Sequence, residues 1–553
     1  MKSFKIKLLL GCFTTGLLTF SYAIDMKPTF RDENYKKIAF SASIGGAPHI
    51  NWVLSICNEL GLRGHNLSFL TTSEEIKFGQ SYENVKTYEI GPSVLPDDRA
   101  QFLRDMSGGE DALAFFPKVI DMATKNYEKE YLALLNYFKT NEIDLALCDI
   151  LMNVCVDAAT TLNIPYIITA AMDFTTESSA SYVNNDFNYS GDFSTESQTF
   201  LERLKQKFIA PYIGLYHFWP HLQSISARRR ALGIDVKLEA PSDTWKDSLK
   251  LVNCLFGFIP ARPIGPMAEY VGPIIPRHYK PLSGQLAEYM NGHKRMAYVA
   301  FGQAAVPSTE NIRLVLTSLL ESIEVGTFDG FLWSTVYSAG FFPESITTAS
   351  NTSYNVKDMF DFLNPHARLM QWTPQIAVLL HPSTAIFISH GGLGSWYESM
   401  YAAKPMIVFP FFGDQLGNAF SIERDGLGGY MRADATVEEA TRLLKKVAAD
   451  IRIKANVKRT QALVQIHSEH GIIRGADIIE EVAYTHQDGK LPHRFTADRR
   501  MSYWKASNMD LYVVVFLLLA AGLSLSIYAG YKISSALIGI FKIIIKKQKL
   551  KSL

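Results

Sequence analysis

The stretch from residue 385 to residue 415 constrains this chain most. Residues 385–389 are a short apolar run rich in β-branched and aromatic side chains, the composition of a buried strand. The run passes directly into His390-Gly391-Gly392 and then Leu393-Gly394-Ser395, where glycine permits tight turning and close backbone approach. Helical patterning resumes over residues 396–403. A strand, a glycine turn and a helix N-terminus together make a site for an anionic diphosphate, because free N–H groups and the helix dipole point at one spot. A second unit of the same kind follows, with residues 405–410 as strand and Gly413-Asp414-Gln415 opening the next helix. Asp414 and Gln415 then stand at the carboxyl edge of that sheet, where doubly wound folds bind ligands.

At 553 residues the chain is too long for one core, so at least two domains are expected. Net charge is +1 and no basic block dominates the body, which argues against a nucleic-acid partner. The five cysteines, Cys12, Cys57, Cys148, Cys155 and Cys254, form no CxxC or Cys/His pattern. Neither a metal site nor a disulfide framework is therefore expected.

The first domain opens with a βαβ unit. Residues 37–43 read as a strand, 44–48 as a loop, and His49 stands at the mouth of a helix. Along that helix Ile50, Val53, Leu54, Cys57 and Leu60 repeat at helical spacing, and 66–71 is the next strand. Residues 115–138 read as one long helix, 142–147 as a strand ending in Cys148-Asp149, 154–162 as a helix and 166–169 as a strand. His49 and Asp149 thus both follow strands on one sheet edge. Taken alone, a loop histidine is more often structural, and Asp149 has the alternative role of capping the helix after it. Residues 175–250 do not follow regular βα spacing, and Arg228-Arg229-Arg230 reads as a solvated helix face. Proline and glycine place a hinge near 272–285. Beyond it, 297–301 is a strand with Gly302-Gln303 as its turn, and 328–334 and 367–370 are further strands. Thr436 with Glu439 forms a capping box ahead of a helical stretch to about 484.

The two ends suggest a secreted, anchored plan. Residues 1–23 have the form of a signal peptide: Lys2, Lys5 and Lys7, an apolar run, then Ser21-Tyr22-Ala23. An uncleaved anchor is the alternative. Residues 511–531 carry no charge over a span long enough to cross a bilayer. Asp510 precedes this span and Lys532, Lys542, Lys546, Lys547, Lys549 and Lys551 follow it, so the tail is expected in the cytosol. Residues 533–545 are apolar apart from Lys542 and read as an interfacial segment. The resulting plan is a signal at 1–23, domains at 24–275 and 285–485, a linker at 486–510, a membrane helix at 511–531 and a basic tail at 532–553. Sequons stand at Asn66, Asn188 and Asn351. Asn66 opens an expected strand, so Asn188 and Asn351, in loop-like stretches, are the favoured glycosylation sites.

Trp372, Gln375, His381, His390, Gly391, Gly392, Ser395, Glu398, Pro405, Pro410, Asp414 and Gln415 stand at the spacing of one known signature. It resembles the donor-binding signature of the UDP-dependent glycosyltransferases, which include glucuronosyl- and plant-type glucosyltransferases. The resemblance runs over about residues 35–485 and extends to the signal-and-anchor plan. It implies an α/β architecture of two facing Rossmann-like domains of the GT-B type plus one C-terminal transmembrane helix. It also implies a UDP-sugar held by the second domain and a small hydrophobic acceptor (sterol, lipid or phenol) held by the first. Trp372 would stack on uracil, Gln375 would touch base or ribose, and Glu398 would accept from the ribose hydroxyls. His390, Gly392, Gly394 and Ser395 would hold the diphosphate, and Asp414 and Gln415 the sugar hydroxyls. His49 would act as base and Asp149 would orient it, in an inverting transfer of glucose or glucuronate with no metal and no cofactor beyond the donor. Gln303 departs from the serine common in the family, and Gly394 from its asparagine. The end Lys549-Leu550-Lys551-Ser552-Leu553 resembles a dilysine retrieval signal, which implies a single-pass type I protein of the endoplasmic reticulum membrane with lumenal catalytic domains. Self-association as a homo-oligomer is left open. Two other readings stay open: a non-catalytic membrane-anchored binding protein of the same fold, and a dinucleotide-dependent oxidoreductase.

Overall fold

Two parallel sheets carry the fold in the computed structural model, which describes residues 29–31, 34–108, 112–173, 175–183, 194–234, 245–276 and 278–551. The expected signal peptide and Asn188 lie outside the described residues. The chain divides into two units, Met1–Tyr35 and Lys36–Leu553. In the first, the Arg31 guanidinium lies 4.6 Å from the centre of the Phe30 ring. The second holds both sheets.

The first sheet contains β1 (Lys37–Ser41), β2 (Asn66–Thr72), β3 (Val85–Gly91), β4 (Leu145–Asp149), β5 (Tyr166–Ala170), β6 (Leu249–Val252) and β7 (Ala268–Tyr270). Its order is β3-β2-β1-β4-β5-β6-β7. The second contains β8 (Met296–Ala300) and β9 (Gly330–Ser334), then, after the hairpin β10 (Ser345–Thr347) and β11 (Ser353–Asn355), β12 (Ala367–Met370), β13 (Thr384–Ser389), β14 (Met406–Val408) and β15 (Gly428–Tyr430). Its order is β12-β9-β8-β13-β14-β15. Every residue of β4 and β8 is buried, as helices on both faces of a parallel sheet require. The strand order reverses between β1 and β4 in one sheet and between β8 and β13 in the other. A ligand crevice opens beyond the carboxyl ends at such switch points, so the residues after β1, β4 and β13 are placed for chemistry by topology alone.

Several expectations are corrected. The helix expected over 115–138 is two helices, Ala112–Ala123 and Tyr127–Asn141. Thr124, Lys125 and Asn126 break it: the Thr124 hydroxyl donates to the Ile120 carbonyl at 2.8 Å, Lys125 Nζ to Val94 O at 3.2 Å and Asn126 Nδ2 to Pro92 O at 3.1 Å. The last two of these bonds reach the loop after β3; they are long-range and invisible to periodicity. The strand expected from 142 starts at Leu145, because Glu142 takes a left-handed conformation (φ 52°) that ends the preceding helix. Cys148 and Cys155 form a disulfide, against the expectation of none, because the chain folds back after β4 and brings their Cα atoms to 5.6 Å. Of the arginine run only Arg230 is on a solvated face. Arg229 Nε donates to Asp157 Oδ2 at 2.7 Å, and Arg228 bonds the Thr124 carbonyl. Asn66 begins β2 with its side chain exposed. Asn351 is also exposed, at φ 63° in the turn between β10 and β11.

The capping box forms: Thr436 Oγ1 accepts from Glu439 N at 3.2 Å and Glu439 Oε2 accepts from Thr436 N at 2.8 Å. The stretch it starts is two helices, Val437–Ala449 and Ile451–Thr485, because the Asp450 side chain caps the second. The end of the second helix returns to the first sheet. Ile472, Ala476, Ile479 and Val482 join the core of Ile50, Val53 and Leu60, and Glu480 takes Arg63 at 2.6 Å and His65 at 3.0 Å. The linker that follows is strapped to the same domain: Arg494 donates to Glu269 at 2.9 Å, and Arg499 to Asp247 at 3.0 Å and Glu177 at 2.8 Å. The last helix, Met509–Lys551, has 43 residues and an apolar stretch long enough to cross a membrane. It runs unbroken through the segment expected to lie in the interface, because nothing at Lys532 interrupts its backbone ladder.

Candidate active site

A cleft of about 1710 Å³ lies between the carboxyl edges of the two sheets. On the first side, β1 leads into a loop in which Gly45 has φ 96° and Gly46 φ 62°. A Cβ on Gly45 would come 2.4 Å from His49 Cγ, so glycine is what leaves room for the imidazole. His49 sits in the first turn of the helix Ala47–Leu62 and lines the cleft. Its Nδ1 is 2.9 Å from Asp149 Oδ2, and Asp149 Oδ1 accepts from Leu151 N at 3.0 Å. The Asp149 side chain is 1% exposed and that of His49 21%. The alternative in which Asp149 caps the next helix fails, since the cap position of Asn153–Thr161 is Met152 with no side-chain bond. With Nδ1–H given to Asp149, Nε2 is the basic nitrogen of the ring. Burial alone would lower the imidazole pKa. The charge and hydrogen bond of Asp149, with smaller pulls from Asp414 and Glu75, outweigh burial and raise it.

On the second side, Trp372 follows β12 and is 60% exposed while lining the cleft, so it is not a core aromatic. Gln375 Nε2 donates to Glu398 Oε2 at 2.7 Å and to Ser395 Oγ at 3.1 Å. These three expected ligands therefore form one connected polar face. Burial raises the Glu398 pKa, against the bond from Gln375. The helix Leu393–Tyr401 begins with Gly392 as its cap and has no side-chain cap bond. Its first N–H groups therefore have no partner within the helix and suit an anion. Burial pushes His390 down to about 4. A hydrogen bond with the Ala300 backbone opposes that fall. The His390 ring fills the space beside two glycines: a Cβ on Gly302 would lie 2.9 Å from its Cε1, and one on Gly392 2.3 Å from its Nε2. A Cβ on Gly394 would meet nothing within 4 Å.

Asp414 lines the cleft and accepts from Asn418 Nδ2 at 2.7 Å. The same amide donates to Gly391 O at 2.9 Å and ties the two glycine turns together. Asn418 was not anticipated, although it stands one helical turn after Asp414, the spacing at which side chains meet. Gln415 is only 3% exposed, and its Oε1 accepts from Phe411 N at 2.8 Å and Phe412 N at 3.2 Å. Its carbonyl therefore holds the loop, and the amide nitrogen is left for a ligand. Gln303 is exposed at the cleft wall.

The halves are joined directly. Phe115 stacks on Phe412 with ring centres 5.0 Å apart, and Tyr397 Oη donates to Asn253 O at 3.0 Å. The rest of the first side is mostly apolar, with Phe102, Met106, Phe116, Val119, Phe218 and Trp219 among its lining residues. Phe218 and Trp219 come from the helix Ala210–Ala231, within the stretch that follows no βα pattern.

The family model described as UDP-glucoronosyl and UDP-glucosyl transferase matches residues 46–478. A UDP-glycosyltransferase of Talaromyces amestolkiae is 26% identical over 500 residues, covering 85% of this chain and 92% of that protein. UDP-glucuronosyltransferase 2C1 of Oryctolagus cuniculus is 26% identical over 416 residues, covering 72% of this chain and 74% of that protein. Among solved structures, the glycotransferase of kitacinnamycin superposes with a TM-score of 0.57 at 18% identity, covering 81% of this chain and 98% of that one. LpCGTa in complex with UDP superposes at 0.52 with 15% identity, covering 82% and 100%. At those identities the likeness is one of fold, that of two facing Rossmann-like domains. With a family model matched across most of its length, the chain is an enzyme of the UDP-glucoronosyl and UDP-glucosyl transferase family.

Proposed function

We propose that this enzyme moves a hexosyl group, glucose or glucuronate, from a UDP-sugar to a hydroxyl of a small hydrophobic acceptor, with inversion at the anomeric carbon and without a metal ion. The observation that carries the reading is the His49–Asp149 pair, 2.9 Å apart, on one wall of a cleft whose other wall holds Trp372, Glu398, Asp414 and the start of the helix at Leu393, which no side chain caps. Base and donor site thus come from different domains and meet in one space. His49 Nε2 takes the acceptor proton as the acceptor oxygen bonds to the anomeric carbon. The bond from that carbon to the diphosphate oxygen breaks, and its electron pair leaves with UDP. Asp149 supports the imidazolium, and the N–H groups at residues 392–395 meet the developing phosphate charge. Trp372 is exposed as a stacking surface for uracil, Gln375 and Glu398 face the ribose, and His390 with Gly392, Gly394 and Ser395 bounds the diphosphate. Asp414 and the Gln415 amide take the sugar hydroxyls. A carboxylate at that position favours an uncharged hexose over glucuronate.

The apolar first wall suits a sterol, lipid or phenol. The apolar helix at 509–551 with its lysine-rich end supports a single-pass anchor that leaves both domains in the lumen of the endoplasmic reticulum. Asn351 stands exposed for glycosylation there. The deciding experiment measures UDP release from UDP-glucose, UDP-glucuronate, UDP-galactose and UDP-N-acetylglucosamine over a mixed hydrophobic acceptor set, with the product anomer read by NMR. Failure of every donor, or a product of retained configuration, would overturn the reading.

A further inference from the structure

We propose that Glu75 is a hydrogen-bond-accepting subsite of the acceptor pocket, and that acceptors carry, besides the hydroxyl that reacts, a second O–H or N–H group that meets it. The proposal rests on the glycosyl-transfer reading and names the kind of acceptor that reading leaves open.

Glu75 follows β2, the neighbour of β1, so it leaves the same sheet edge as His49 one strand over. Both residues line the cleft. Glu75 is 7% exposed, and its buried Oε2 has no hydrogen-bond partner. A buried carboxylate oxygen is expected to be satisfied, and one left open calls for an explanation. The usual structural explanations fail here. Glu75 stands at the cap position of the short helix Ile76–Gly79 but makes no side-chain cap bond. The nearby cations are taken by its neighbour: Glu74 holds Lys77 at 2.8 Å and Arg99 at 2.6 Å. Both glutamates line the cleft, but one closes an ion-pair cluster and the other keeps a buried oxygen without a partner.

The charged groups around Glu75 are Lys77, Glu74, His49 and Arg99. Burial holds its carboxyl up at about 7, with Glu74 adding to the rise and the three cationic groups opposing it. A ligand O–H or N–H that reached the carboxyl from the cleft would satisfy that oxygen, since the nearby cations are already paired with Glu74. An acceptor lacking that group would leave the carboxyl as it stands, and a polar group kept unsatisfied in that way discriminates between ligands. The acceptor that fits is therefore amphipathic, with an apolar body and a polar hydrogen distinct from the reacting hydroxyl.

The test uses the full-length protein and a series of phenols whose para-alkyl chain ends in methyl, hydroxyl or ammonium, at several chain lengths. The parent enzyme should prefer a hydroxyl or ammonium end over methyl by roughly 5- to 150-fold in kcat/KM at the best length, mostly through KM. Glu75→Gln should keep the preference for hydroxyl, since the amide oxygen still accepts, and lose that for ammonium. Glu75→Leu should lose both. Ratios between acceptors cancel any effect of Glu75 on His49, and UDP affinity should not move. Transfer without discrimination by the parent enzyme, or a preference that survives Glu75→Leu, overturns the subsite and leaves the transferase reading standing. If Glu75→Leu fails to fold, the loss of ammonium preference in Glu75→Gln decides. Absence of transfer to any acceptor overturns both.

Discussion

The two walls of the cleft are built in opposite ways. The donor wall is local in sequence: Trp372, Gln375, His390, Ser395, Glu398 and Asp414 come from one stretch, and Gln375 already bridges Ser395 and Glu398 within it. The acceptor wall is assembled from far apart. His49 reaches Asp149 across 100 residues, and the apolar lining is drawn from helices at 99–106, 112–123 and 210–231. A UDP group makes the same demands whatever the acceptor, so a compact, ordered set of ligands serves it. An acceptor site that varies is more readily formed by side chains that change independently, each on its own helix. The comparison predicts that substitutions on one wall leave the other wall's property intact.

The largest expected effect is on the acceptor wall. Replacing His49 by Ala removes the proton acceptor, so the transfer rate should fall by about 10²–10⁴. UDP affinity, held by the other wall, should change little when measured by calorimetric titration. A folded variant that transfers at the parent rate would break both the assignment of the base and the division between the walls.

Next is the donor wall. Trp372→Ala should weaken UDP by roughly 1–3 kcal/mol, the scale of one base–aromatic stack, and Glu398→Ala should also act mainly on donor binding. Because Trp372 is 60% exposed, the melting temperature should hardly move. A large loss of stability with unchanged UDP affinity would return Trp372 to the role of a packing residue.

A smaller effect tests the coupling within the acceptor wall. Asp149 raises the pKa of His49 against the lowering effect of burial, and the base works only when deprotonated. The acid limb of the kcat/KM profile should therefore lie above the ordinary histidine value. Asp149→Asn removes the charge that stabilises the imidazolium, so the limb should move to lower pH while the maximal rate falls. A limb that moves up, or not at all, would separate Asp149 from the base.

The smallest effect is expected where the donor wall is open. A Cβ on Gly394 meets nothing within 4 Å, so Gly394→Ala should leave stability and UDP affinity within about 1 kcal/mol of the parent. A marked loss of UDP affinity would show that bound diphosphate approaches that backbone more closely than the open space suggests.

The sequence alone determined what depends on neighbours in the chain. The strands and turns of residues 367–415, the capping box at Thr436 and the apolar span near the end are all local patterns. So is the placement of His49 and Asp149 after strands, and the structure follows it closely. Tertiary structure decided what depends on residues that meet across long separations. It broke the helix at Thr124-Asn126 by tying it to the loop after β3, buried Arg229 on Asp157, brought Cys148 to Cys155 and returned the helix at 472–482 to the first core. It also set the adjacent glutamates apart, pairing Glu74 with two cations and leaving Glu75 Oε2 buried without a hydrogen-bond partner. No local pattern distinguishes two consecutive identical side chains. Their difference comes from how the rest of the chain meets each: Lys77 and Arg99 are bonded to one, while burial leaves an oxygen of the other without a partner.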